Sequence, residues 1–143
     1  MTGRVPLAKC QRHLLTTWLL GLVPTVLLMS SRSLTGGFYG SEQAAWSWFV
    51  PMFLPTISLM IGAYSSIAIK EPISSASVDR TFFQVSLSCS IFYLAILFSV
   101  VLYQPFANSP ALETFSRSSV FLSVIQGVAT GCIGVFFASQ KQG

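Results

Sequence analysis

Charge is what this sequence lacks. Of its 143 residues only 8% are Asp, Glu, Lys or Arg, and there is one histidine. Soluble domains carry about 25% charged residues, and a chain this size has too much surface to cover without them. The few charges also cluster, since none falls in 14–31, 43–69, 81–112 or 118–140. Ionisable side chains inside a membrane segment are the usual marks of proton relays, coupled transport and voltage sensing. Their absence from these four runs argues against a proton-coupled pump.

Other absences narrow the reading further. Three cysteines make no disulfide framework: Cys10 lies in the basic N-terminal tail, and Cys89 and Cys132 lie in apolar runs, where a thiol packs as a small hydrophobe. Cys10 and His13 are too few ligands for a metal site. There is no glycine-rich phosphate loop and no Ser/His/Asp or Cys/His set with enough members, so neither catalysis nor a cofactor is expected. Net charge is +4, but the basic residues sit beside the apolar runs and form no patch interleaved with aromatics. A nucleic-acid surface would show one.

What is present is apolar length. About 20 apolar residues cross the hydrocarbon of a bilayer, and four runs reach it. The expectation is an all-α, polytopic membrane protein, one domain over 1–143, with four transmembrane helices at about 14–31, 46–69, 82–103 and 118–139. The first run follows a basic segment, as a signal peptide would. It is longer than a usual signal core and has only a poor cleavage site, "MSSRS", so it is read as retained. Lysine and arginine counts set the orientation. With the N-terminus inside, Arg4, Lys9, Arg12, Lys70, Arg80 and Lys141 face the cytoplasm, against Arg32 and Arg117 outside. Both termini are therefore expected to be cytoplasmic; which membrane is involved is not encoded.

Three prolines and two tryptophans mark the expected irregularities. Pro24 removes a backbone hydrogen bond within span one and is expected to bend it. Pro51 and Pro55 share a face of span two, and Pro55 is deep enough to bend the helix there; a re-entrant segment is the alternative. Trp46 and Trp48 fit the aromatic belt at the water boundary.

Small residues four apart form three ridges: Thr17, Gly21 and Thr25; Ser58, Gly62 and Ser66; and Ser119, Ser123, Gly127 and Gly131. Such ridges admit a second helix backbone, because helices in lipid associate by close contact and hydrogen bonds, not by the hydrophobic effect. They serve either the protomer's own bundle or contacts between copies. Gln126 falls near the middle of the last run, beside the ridge. An amide at that depth needs partners. Those expected are Ser88, Ser90, Tyr93 and Ser99 on span three, or Gln126 of another copy. Gln126, Ser123, Ser88 and Ser99 would also suit the lining of a pore.

The function expected is therefore a non-catalytic, self-associating pore- or channel-type subunit, such as a permeabilising effector. A non-conducting anchor or assembly subunit and a passive small-solute carrier are the alternatives. The partners are the bilayer and copies of the chain or other membrane subunits, with no nucleic acid.

Overall fold

The computed structural model describes residues 3–69, 77–107 and 109–138. Among the described residues the regular structure is helical except for one ladder of two short strands. β1 (Arg4–Pro6) leads into α1 (Leu7–Leu34). After a turn at 35–41 come α2 (Glu42–Phe49), a single 3₁₀ turn (Val50–Met52) and α3 (Leu54–Ile69). β2 (Ser77–Asp79) leads into α4 (Arg80–Tyr103), and a second 3₁₀ turn (Gln104–Phe106) precedes α5 (Ala111–Ala138). Lys70, Lys141 and Asn108 lie outside the described residues, as does the rest of 70–76.

Among the described residues, three helices are long and apolar enough to cross a membrane, and there is a fourth such span if α2 and α3 count as one bent unit. α1 begins at Leu7, seven residues before the expected span, so the basic tail is helical and not loose. Cys10 and Gln11 are buried in it. α1 also runs through Pro24 without interruption, and the neighbouring carbonyl of Gly21 accepts the hydroxyl of Thr25 at 2.9 Å.

The 3₁₀ turns and helix starts follow the prolines. Pro51 and Pro55 lack an N–H, so a continuous helix through both would leave two carbonyls without donors. The chain instead restarts twice. Pro51 sits at the start of the 3₁₀ turn and Pro55 in the first turn of α3, where a missing N–H costs least. The result is a bend of 43° between 42–52 and 54–62. Pro105 opens the other 3₁₀ turn and Pro110 immediately precedes α5.

α4 packs between α1 and α5, and the α2–α3 unit closes the ring against α5 and α1. The ladder pairs Arg4 with Asp79, Val5 with Val78 and Pro6 with Ser77 in antiparallel register. It ties the start of α1 to the start of α4, so these helices run parallel. At their far ends Arg32 Nη2 donates to Gln104 Oε1 at 3.3 Å. The expected flexible link at 32–45 is a defined turn. Gly36, Tyr39 and Gly40 take positive φ, and Phe38 folds under it to meet Phe115 at 6.2 Å.

The interior is aromatic. Trp18 and Tyr93 stack at 5.7 Å, and with Phe49 and Phe115 they are among the largest side chains fully buried. Only one ridge glycine packs inside this bundle. A Cβ on Gly21 would stand 2.8 Å from Cδ1 and 3.2 Å from Cβ of Leu94. On Gly62, Gly127 or Gly131 it would meet nothing within 4 Å. As a means of packing the protomer's own helices, the ridge reading is therefore corrected at these three positions. α3 and α5 turn Ser58, Gly62, Ser123, Gly127 and Gly131 outward.

This asymmetry predicts that Gly21→Leu lowers stability by about 1–3 kcal/mol through overpacking. Gly127→Ala and Gly131→Ala should leave melting unchanged or raise it, since alanine is the better helix former. Thermal unfolding in detergent checks this; Gly21→Leu melting with the wild type would refute the packing assignment.

Candidate functional site at the broken span

The break between α2 and α3 is where side-chain hydrogen bonds from two other helices converge. In an unbroken helix the carbonyl of Pro51 would accept from the N–H of residue 55, but that residue is proline. The donor comes from another helix instead: Gln126 Nε2 on α5 reaches Pro51 O at 3.1 Å. The next carbonyl, that of Met52, accepts the hydroxyl of Tyr93 on α4. Backbone bonds across the break run from Phe53 N–H to Val50 O at 3.3 Å and from Ile57 N–H to Phe53 O at 3.0 Å. Gln126 thus replaces the donor that Pro55 removed, and Tyr93 satisfies a second carbonyl left open where the helix breaks.

The seam between the broken unit and α5 continues on either side of this contact. Above it, Trp48 Nε1 donates to Ser119 Oγ at 2.8 Å, and Ser119 Oγ donates to Phe115 O at 2.9 Å. The indole also stacks on Phe115 at 4.3 Å and 9°. Below it, the hydroxyls of Thr56 and Thr130 share a hydrogen bond of 2.7 Å. Residue numbers rise together on both sides, from 48 and 119 to 56 and 130, so α5 and the α2–α3 unit run parallel.

The expected site residues separate accordingly. Gln126 is half-buried at the edge of this seam, and its partner is a carbonyl of span two, not a hydroxyl of span three. Tyr93 belongs to the same break, while Ser90 is buried and donates to Ser86 O at 2.8 Å within α4. Ser99 is exposed and donates to Ala95 O at 2.7 Å; Ser88 and Ser123 are exposed. Ser88 and Ser99 therefore do not meet Gln126. Trp48, expected at the water boundary, lies half-buried with its indole N–H engaged on α5. Trp46, also half-buried, packs edge-on against Phe49 at 5.9 Å. Pro55 sits beside the break and Pro24 does not.

Sequence reasoning missed Thr56, Thr130, Ser119 as an acceptor, and the carbonyls of Pro51 and Met52. A signal for the carbonyls existed, because a proline at 55 orphans the carbonyl at 51 by rule. Which side chain would answer was not readable. No group of three or more His, Cys, Asp or Glu suited to a metal occurs among the described residues. Compared with known proteins, the chain matches no family model, no curated protein and no solved structure.

Because Gln126 stands in for a missing backbone donor, Gln126→Leu is expected to cost roughly 0.6–2 kcal/mol. In a Pro55→Ala background, which restores a donor at 55, the same substitution should cost less. A double-mutant cycle of unfolding free energies measures this coupling; additive costs would show that the amide does not serve the proline's carbonyl.

Proposed function

We propose that the chain is a non-catalytic, pore- or channel-type membrane subunit that crosses the bilayer four times and acts as an assembly of copies. The observation that carries this reading is the broken α2–α3 unit, whose carbonyls at Pro51 and Met52 accept from Gln126, close to the midpoint of α5, and from Tyr93 on α4. Broken helices near the bilayer midplane are where membrane transport proteins place polar contacts for what they move. Non-helical backbone at that depth is tolerated only inside protein or along a water-filled cavity.

Four crossings are supported by the ladder. α1 has 28 residues and rises about 42 Å from β1. β2 lies beside β1, so the chain returns that distance before residue 77. Fully stretched, residues 70–76 span about 25 Å. α2 and α3 must therefore descend for the remainder, which favours a bent crossing over a re-entrant loop. The parallel pairs with α5 support the same direction.

Trp18, Phe49, Tyr93 and Phe115 fill the protomer's middle. A path would then run between copies, along the side where half-buried Gln126 meets the exposed Ser123 and Gly127. Val120, Val124, Val128 and Val135 border that side and are 74%, 66%, 55% and 53% exposed. One observation favours a second reading, a non-conducting assembly subunit: the seam's amide and hydroxyls already have partners, so they serve equally as glue.

Purified protein in planar bilayers is expected to conduct, with unitary conductance altered by Gln126→Leu and lost in Gly127→Ile, which also disperses the assembly in mild detergent. Silent bilayers from an oligomeric preparation would favour the assembly subunit. A monomer in both detergent and nanodiscs would refute the reading. For topology, cysteines placed at Gly40 and Ala107 in a chain without its native thiols should label from outside intact cells. One placed at Gly3 should label only after permeabilisation. Labelling of all three from outside would refute four crossings.

A further inference from the structure

The α1–α4 face carries a second feature that the broken span does not use. Between these helices lies an outward-opening groove of about 290 Å³ lined by Thr17, Gly21, Pro24, Ile91, Ala95 and Phe98 over the side chain of Leu94. Its lining is apolar apart from Thr17. The groove exists because Gly21 has no side chain and Ala95 a short one, so the two helices leave a furrow above Leu94.

The face of each helix that lines the groove becomes polar and basic toward the ladder end. On α4, Arg80 and Gln84 precede Ile91, Ala95 and Phe98 at helical spacing, on the same face. On α1, His13 precedes Thr17, Gly21 and Pro24 in the same way. Arg80, Gln84 and His13 are exposed. The His13 ring lies 6.5 Å from that of Phe83, so the two helix faces meet at this level. Arg4, Lys9 and Arg12 add exposed positive charge at the same end. Among the described residues the acid at that end is Asp79, which accepts the N–H of Thr81 at 2.7 Å as the α4 cap. The one ion pair among the described residues, Arg117 with Glu113, lies at the opposite end.

Length completes the match. From Arg80 to Ala95 α4 rises about 22 Å, and half a bilayer with its headgroups is about 20–22 Å thick. An inner-leaflet lipid with its phosphate at Arg80 therefore ends its acyl chain in the groove.

We propose that this face is a binding site for an anionic phospholipid, with the phosphate at Arg80 and His13 and one acyl chain in the Gly21–Ala95 groove. A zwitterionic lipid offers the same chain but no net charge to the basic end. Each Arg or Lys near an anionic headgroup favours it by about fivefold. The site depends on the chain lying in a bilayer and not on whether it conducts.

The test is native mass spectrometry of full-length protein released from nanodiscs of equal phosphatidylglycerol and phosphatidylcholine. Wild type is expected to retain one phosphatidylglycerol in preference to phosphatidylcholine by about fivefold. Arg80→Gln should remove the preference, Ala95→Phe should remove retention of both lipids, and Arg117→Gln at the far end should change neither. Equal retention of the two lipids by wild type would overturn the proposal without any variant. So would Ala95→Phe that melts like wild type and retains lipid as well, or Arg117→Gln that matches Arg80→Gln.

Discussion

A carbonyl that has lost its helical donor cannot stay unpaired in an apolar surround, and this constraint organises the bundle. Pro55 deprives Pro51 O of its partner, and the chain answers with the amide of Gln126 from α5. The adjoining Met52 O takes Tyr93 from α4. Each of these contacts draws a different helix to the same point of the broken unit. The polar groups are thus consequences of the bend as much as decorations of a surface. An unpaired amide or carbonyl buried there would cost on the order of several kcal/mol, more than a single hydrogen bond between membrane helices returns.

From that point the packing follows. With α5 and α4 held at the break, Trp48 docks on Phe115 and Ser119, and Thr56 meets Thr130. α4 in turn stacks Tyr93 on Trp18 and seats Leu94 against Gly21, which joins α1 to the rest. The small ladder closes one end by pairing the segments ahead of α1 and α4. A glycine inside the bundle and glycines outside it then have different meanings. Gly21 admits a neighbour, whereas Gly62, Gly127 and Gly131 leave helix surface uncovered.

Much of this was legible in the residues. Four charge-free runs mark the helical elements, because charge at membrane depth is expensive and its absence is visible without any alignment. The prolines of span two mark a bend, and the small-residue ridges mark where backbones could approach. The site was legible only in part. Gln126 stands out as an amide in an apolar run, yet its partner is a backbone carbonyl 75 positions away in sequence. A carbonyl carries no side-chain signature, whereas the hydroxyls of Ser88 and Ser99 do, and those two face outward. Trp48 shows the same limit, since a tryptophan near a helix start suits a headgroup or a neighbouring serine equally well.

Composition and local order by themselves determined the helical class, the apolar lengths, the basic end, and the breaks at Pro51 and Pro55, because each depends on covalent chemistry or on transfer from water. Only the tertiary structure decided which carbonyl the amide meets, which ridge is inside, and that β1 pairs with β2. Those outcomes depend on how each helix is rotated about its axis and on which helices are neighbours, and long-range packing alone sets both.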